Sequence, residues 1–189
     1  MMRVRNFVVP ALTVALGWAV VSLTACGSNN PFLVKWTPYT DTVTLYSVAD
    51  TTPNLYDGFD FVNVARAIIE SHAALGTWDV AVGTDSMGLV WMPPGAFGIS
   101  SAAGVAVLSG TTYDQAAKAP SDTAKYSHTA VPITVGVTYV VRTRKVTSSY
   151  GSTCSHYAKL QPVAVDVAQG VVSFIFDTNP NCGDLKLKP

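Results

Sequence analysis

The sequence has few charged side chains and none of the short motifs that mark the common enzyme classes. Only 13% of its 189 residues are charged, and its 12 basic side chains are matched by 12 acidic ones. It contains no Gly-x-Ser-x-Gly elbow, no phosphate-binding glycine loop and no His-Glu-x-x-His pair. The lack of a basic patch argues against a nucleic-acid partner, and the missing motifs favour a protein that is not an enzyme.

Histidine, cysteine and paired carboxylates are equally scarce, which argues against a metal centre. The sequence has three His and three Cys, and we find no His at metal-ligand spacing from another His or from a Cys. We therefore expect His72, His128 and His156 to be solvated. The acidic residues are spread out with no evident pair of raised pKa, and Asp57 and Asp60 are predicted to form turns.

The first 25 residues have the layout of a secretory signal peptide. Arg3 and Arg5 precede an apolar run from Phe7 to Leu23. The run ends in Leu23-Thr24-Ala25-Cys26-Gly27, which resembles the lipobox of bacterial lipoproteins. We predict cleavage before Cys26 and acylation of its thiol, which would anchor the protein to a bilayer at the outer membrane or cell surface. The alternative is a transmembrane anchor, for which the run is somewhat short and lacks charges after it.

Composition predicts a single β-rich domain after the signal. Removal of 25 of the 189 residues leaves 164, with 10 basic and 12 acidic side chains because two arginines leave with the signal. This part is rich in Val, Thr, Tyr and Gly and poor in Lys, Glu and Leu, which favours strands. We divide the chain into a signal peptide (1–25), a lipidated Cys with a short tether (26–39) and one domain (40–189).

Several segments alternate in the manner of β-strands, the longest over Thr134–Val146. A terminal hairpin is predicted over 156–167 and 171–177, joined by Ala168-Gln169-Gly170. Shorter strands are predicted at 42–48, 78–82, 89–92 and 104–108, the third of them inside an irregular loop over 83–104. The spacing of apolar residues over 59–73 fits either a helix or strands. The stretch 113–119 fits one helical turn.

Six short motifs occur in order along this domain, and together they resemble one family. They are Gly58-Phe59-Asp60-Phe61, Thr77-Trp78-Asp79-Val80-Ala81-Val82, Ala102-Ala103-Gly104-Val105-Ala106-Val107, Tyr113-Asp114-Gln115-Ala116, Tyr139-Val140-Val141-Arg142-Thr143 and Tyr157-Ala158-Lys159-Leu160-Gln161. After a lipobox, this order resembles the HmuY-like lipoproteins, bacterial surface proteins whose founding member binds heme. The resemblance covers about residues 40–182.

The resemblance implies an all-β, antiparallel HmuY-like fold with long loops and little helix, and strands at 59–61 and 67–70. It also implies a membrane-anchored, non-enzymatic protein that captures heme or another porphyrin and passes it to an outer-membrane transporter. The alternatives are a structural or adhesive surface lipoprotein of the same fold without a heme site, and a hydrolase with an unfamiliar site.

Heme-binding members of the family carry their axial ligands on an excursion that is shorter here, between residues 119 and 132. His128 is the one imidazole in this stretch, and we predict it as an axial ligand if heme is bound. Tyr126 would lie on the same side of an extended segment and pack on the porphyrin edge. A solvated loop histidine is the alternative.

The two cysteines other than Cys26 are predicted to form a disulfide in an exported protein. If the terminal hairpin turns near Ala168 and Gln169, the two residue numbers of each cross-strand pair add up to 336 or 337. Cys154 and Cys182 add up to 336, so they should face each other at the open end of the hairpin. Two free buried thiols are the alternative.

Overall fold

The computed structural model describes residues 33–39, 41–148 and 151–189, which belong to one compact unit. The predicted signal peptide and Cys26 lie outside these residues. Strands and three one-turn 3-10 helices make up the regular structure of the described part, which contains no α-helix. The all-β, antiparallel prediction with little helix is therefore confirmed. Within the same part, no helix has both the length and the apolar character needed to cross a bilayer.

The strands of the described residues form two five-stranded sheets and one small two-stranded sheet. In chain order they are β1 Thr42–Tyr46, β2 Gly58–Asp60, β3 Ala65–Ala67, β4 Val80–Asp85, β5 Gly88–Met92, β6 Gly104–Val107, β7 Val131–Pro132, β8 Tyr139–Arg142, β9 Val146–Thr147, β10 Thr153–Cys154, β11 Tyr157–Asp166 and β12 Val171–Asn179. The first sheet has the order β1-β12-β11-β8-β6 and the second β3-β2-β4-β5-β7, while β10 pairs with β9. All these strand pairs are antiparallel.

The core lies between the two large sheets and is built around aromatic rings. Phe59 of the second sheet meets Phe174 and Phe176 of the first edge to face, with centroids 5.8 and 5.1 Å apart. Trp91 meets Phe174 and Tyr139 at 5.4 and 6.3 Å in the same way. Rings of this size supply much of the apolar burial in a small domain, and edge-to-face pairs add to it. These rings join the two sheets in one core.

The terminal hairpin of β11 and β12 follows the predicted register. Tyr157 pairs with Asn179 and Pro162 with Phe174, so the paired numbers add up to 336. After a bulge at Val163 the sum becomes 337, as in the pair of Asp166 with Val171. The turn needs a residue in the left-handed region, and Gly170 supplies it with a φ of 65°.

The N-terminal stretch before β1, assigned to the tether in the sequence analysis, is bonded to the end of this hairpin. The Val34 N–H donates to Asn181 Oδ1 at 2.6 Å, and Asn181 Nδ2 donates to the Val34 carbonyl at 2.9 Å. The Tyr39 N–H donates to Asp177 Oδ1 at 2.9 Å, and its ring stacks on Phe176 with centroids 4.9 Å apart. The chain is thus attached to the domain from Val34 onward.

The prediction of one long strand over Thr134–Val146 is wrong, because the sheet receives only Tyr139–Arg142 of it. At the start, Gly136 has a φ of 79° and the Thr134 N–H donates to the Tyr139 hydroxyl at 2.9 Å, which holds a turn there. At the end, the Arg144 N–H donates to a carboxylate instead of a neighbouring strand. The alternation of side chains continues through the whole segment, but hydrogen bonds to side-chain acceptors end the strand on both sides.

The predicted irregular loop over 83–104 begins too early, since Gly83 lies within β4 and β4 and β5 form a tight hairpin. Asp85 Oδ1 accepts the N–H groups of Met87 and Gly88 and so closes the turn. At this position of β4 a Cβ would collide with Met92 Sδ of the neighbouring strand, so glycine fits here. The irregular part begins only at Pro93.

Residues 59–73 contain strands, as the resemblance implied, at 58–60 and 65–67. The first lies within one residue of the expected place, and the second comes two residues early. The Asp60 carboxylate accepts the N–H groups of Val62 and Asn63 at 2.9 and 3.1 Å and forms the turn predicted for it. The stretch 113–119 has a single hydrogen-bonded turn, in which the Ala116 N–H donates to the Thr112 carbonyl.

Candidate functional site

A solvent-facing cleft of about 600 Å³, which we call the Trp78 cleft, is a candidate binding site. It lies where residues 76–78, 94–102 and 142–145 meet, and its volume is in the range of small-molecule sites. Among the described residues that line it, three are cationic and none is acidic. The lining comprises Gly76, Trp78, Pro94, Ile99, Ser100, Ser101, Ala102, Arg142, Arg144 and Lys145.

One side of the Trp78 cleft is apolar. Trp78 is only 4% exposed and meets the ring of Phe97 edge to face, with centroids 5.6 Å apart. Ile99 lines the cleft with 47% of its surface exposed, and Leu75, the neighbour of a lining glycine, is 66% exposed. Apolar side chains gathered in solvent around a concave surface are typical of a binding site.

The cationic side begins with Arg144, whose guanidinium is held by two buried carboxylates. Its Nη1 and Nη2 donate to the two oxygens of Asp60 at 2.9 and 3.1 Å, a bidentate pair. Nη1 also lies 3.1 Å from Asp79 Oδ1, which accepts the Arg144 backbone N–H at 2.8 Å. The positive charge of Arg144 is therefore largely compensated from behind the cleft.

Asp79 is the most deeply buried member of this cluster. Its side chain has no exposed surface, and Oδ2 accepts the Phe61 N–H at 2.8 Å. Burial raises the pKa of Asp79 to about 6, against the lowering effect of Arg144 and of the backbone N–H donors. The acidic residues were expected to be spread out, but the fold brings Asp60 and Asp79 together at Arg144, and the pKa of Asp79 is raised.

Arg142, also on the cationic side, differs from Arg144 because none of the described carboxylates forms a salt bridge with it. It lies at the end of β8 and is half-buried, and its Nε is fully buried. This Nε has no hydrogen-bond partner among the described residues. Buried donors in proteins are nearly always paired, so a residue that lines the cleft carries a buried donor without an acceptor among the described residues.

His128 lies beside Arg142, on a segment that crosses two glycines. Gly104 pairs directly with Arg142 in the sheet, and paired residues project their side chains to the same face. A Cβ on Gly104 would lie 3.4 Å from His128 Cε1, and one on Gly95 would lie 2.5 Å from the His128 carbonyl oxygen. The two glycines therefore let the His128 segment lie directly against the sheet on the face that carries Arg142.

The imidazole of His128 is exposed and its orientation is fixed by one hydrogen bond. Nδ1 lies 2.7 Å from the Ala103 carbonyl oxygen, which can only accept, so Nδ1 carries the proton. Nε2 is then left with a free lone pair, the form in which a neutral histidine binds a metal. Ala103 follows the cleft residue Ala102 in sequence, and Gly95 follows Pro94.

Tyr126, the other residue predicted for a heme site, lies in the interior. It is 2% exposed and packs with Ala116, Val140 and Leu187 in a second core cluster. Its hydroxyl donates to the Pro120 carbonyl at 2.9 Å, and burial raises its pKa. The side chain of Tyr126 therefore supports the His128 segment from below.

Cys154 and Cys182 form the predicted disulfide, with Cα atoms 5.7 Å apart at the open end of the hairpin. His156 lies next to it, and one nitrogen of its ring and the two sulfurs lie within 4.8 Å of one another. No histidine was found at metal-ligand spacing from a cysteine in the sequence, but the fold brings His156 close to both sulfurs. Both sulfurs are committed to the disulfide, so the group offers no pair of thiolates to a metal. Cys26, predicted as the lipidated residue, lies outside the described residues.

No protein-family model, curated protein or solved structure matches this chain. The likeness to the HmuY-like lipoproteins therefore stays a prediction from sequence motifs.

Two signals in the sequence could have located the Trp78 cleft. Arg142-Thr143-Arg144-Lys145 is a local cationic run in a chain that otherwise spreads its charges. Asp79 stands between Trp78 and an apolar strand, and a carboxylate in such a position needs a buried partner. By itself the Trp-Asp pair indicates only a family motif, and three cations in four residues are too few to predict a basic patch.

Proposed function

We propose that the protein is a membrane-anchored, non-enzymatic lipoprotein of HmuY-like type that captures heme or another porphyrin. The observation that supports this best is the Trp78 cleft, in which an apolar side and a cationic side line the same concave surface. A porphyrin is a flat apolar ring with carboxylates at one edge, and its shape and charge match these two sides.

The chain also provides a candidate iron ligand next to the cleft. Nε2 of His128 is free to bind, because Nδ1 donates to the Ala103 carbonyl. A backbone acceptor on the second nitrogen is the usual arrangement for a metal-binding histidine, since it fixes the tautomer and the ring orientation. In this proposal His128 would hold the iron, and the Trp78 side would exclude water from the porphyrin face.

A hemin titration tests the heme proposal. The wild-type mature domain should give a red-shifted Soret band that saturates at one hemin per chain, and His128→Ala should shift or weaken it. His72→Ala is the matched control, because His72 is exposed and is not among the residues that line the Trp78 cleft. Its spectrum should match that of the wild type.

Each other outcome of the titration has a definite meaning. If the wild type gives no Soret change, the heme proposal is wrong and a structural or adhesive lipoprotein is favoured. If the change persists in His128→Ala, heme is retained as the ligand and His128 is rejected as its axial residue.

The membrane anchor has its own test. Cys26→Ser should stop acylation and leave an unprocessed precursor, because the lipobox thiol is the acceptor of the diacylglycerol. Mass spectrometry of the membrane fraction should find the wild-type chain beginning at an acylated Cys26. Cleavage at another bond with an unmodified Cys26 would contradict the lipoprotein assignment. The proposed transfer to an outer-membrane transporter depends on this anchor.

A further inference from the structure

We propose that Arg142 makes the Trp78 cleft a site for the carboxylate of a ligand with an apolar body. The ligand class is an aromatic or otherwise amphiphilic carboxylic acid. This inference rests on the proposed use of the cleft for ligand binding, but it depends neither on iron nor on a porphyrin. It assigns to Arg142 the role of distinguishing such acids from their uncharged esters.

The first argument is the unpaired donor. Arg142 Nε is buried and has no partner among the described residues, whereas both terminal nitrogens of Arg144 are bonded to carboxylates. Burial of a cationic donor without an acceptor is unfavourable. A ligand carboxylate in the cleft that pairs with the guanidinium of Arg142 would compensate its charge.

The second argument is the distribution of charge around the cleft. Arg144 is compensated by Asp60 and Asp79, so it attracts an anion only weakly. Arg142 and the exposed Lys145 are the remaining lining cations, and no acidic residue is among the described residues that line the cleft with them. The uncompensated positive charge of the cleft thus belongs to Lys145, which is exposed, and to Arg142, which is half-buried.

The third argument is the apolar side of the cleft, which defines the rest of the ligand. Trp78, Pro94 and Ile99 would contact a flat or extended apolar body while its acidic end points to Arg142. A small inorganic dianion would leave this apolar surface exposed. A planar guanidinium also matches a carboxylate in its two-point geometry. The combination favours an organic acid over free phosphate or sulfate.

The test compares acids with their own methyl esters, so that charge is the only large difference. We choose two pairs: 1-pyrenebutyrate with its methyl ester, and hemin with hemin dimethyl ester. The wild-type domain should bind each acid about 10- to 100-fold more tightly than its ester, the range expected for one charged hydrogen-bonded contact. Fluorescence follows the first pair, and absorbance follows the second.

Arg142→Gln should abolish most of the preference for the acid. Glutamine keeps a polar side chain but lacks the positive charge and the planar guanidinium. Arg66→Gln is the matched control, since Arg66 is exposed and lies over the Tyr56 ring at 4.5 Å, among residues that do not line the cleft. It should keep the wild-type preference. Thermal unfolding of both variants checks that they are folded.

The outcomes separate this inference from the heme proposal. Equal affinity of the wild type for acid and ester overturns the inference, whatever the variants do. If hemin gives no Soret change but 1-pyrenebutyrate binds with dependence on Arg142, the heme proposal fails and the inference stands. If hemin and its dimethyl ester bind equally, heme stands and the role of Arg142 is rejected. Displacement of 1-pyrenebutyrate by equimolar inorganic phosphate would overturn the requirement for an apolar body.

Discussion

Replacement of Arg144 by methionine is expected to lower the free energy of unfolding by about 3–5 kcal/mol, the range for removal of one partner from a buried ion pair. Methionine keeps much of the volume of the side chain but leaves the carboxylates of Asp60 and Asp79 without their cation. These residues are 4% and 0% exposed, so water cannot replace the guanidinium. Urea unfolding followed by tryptophan fluorescence measures the change.

The neighbouring residue provides the control for this variant. Lys145→Met removes a positive charge from the same segment, but Lys145 is exposed and none of the described carboxylates pairs with it in a salt bridge. The free energy of unfolding of this variant should differ from that of the wild type by no more than about 0.5 kcal/mol. Equal losses in the two variants would show that net charge, rather than the buried cluster, accounts for the effect.

The stability loss in Arg144→Met should also depend on pH. Burial raises the pKa of Asp79 to about 6, and Arg144 opposes that rise, so removal of Arg144 raises it further. The folded state then binds more protons than the unfolded state between the two pKa values, and stability falls as the pH rises through this window. The deficit relative to wild type should therefore be larger at about pH 8 than at about pH 5. A deficit independent of pH would contradict this account.

Loss of the Cys154–Cys182 disulfide should cost about 3–4 kcal/mol in the free energy of unfolding on the chain-entropy model. The cysteines are 28 residues apart, so the bond removes considerable freedom from the unfolded chain. The double variant Cys154→Ser/Cys182→Ser, compared with the oxidised wild type by urea unfolding, measures this cost.

A chemical reductant provides the matched comparison. It should destabilise the wild type to about the level of the double variant and leave the double variant unchanged. Thiol counting under denaturing, non-reducing conditions should find neither cysteine free in the mature wild-type domain. Two free thiols, or an unfolding curve unaffected by reductant, would contradict the disulfide.

The parts of the fold that the sequence predicted best depend on contacts between residues close along the chain. The register of the β11–β12 hairpin followed from the position of its turn, because the residues of a short turn fix which residues pair on its two sides. That register brought Cys154 opposite Cys182. The bulge at Val163 is the one irregularity, and alternation alone does not predict it.

The parts that the sequence missed depend on residues that are distant along the chain. Arg144 bonds to Asp60 across 84 positions and to Asp79 across 65, and no periodic pattern encodes such a meeting. The same contacts ended the strand after Arg142. The Trp78 cleft was missed for the same reason, since its lining comes from three segments that the fold alone brings together.

The attachment of the N-terminal stretch to the hairpin would limit how far an anchored domain could move from a bilayer under the proposed acylation of Cys26. Val34 is bonded to Asn181, and Cys26 precedes it by eight residues. A fully extended chain of this length spans at most about 30 Å. With Cys26 acylated as proposed, Val34 would stay within that distance of the headgroups. Under the same proposal, a protein that receives the ligand would have to approach the domain close to the same face of the same membrane.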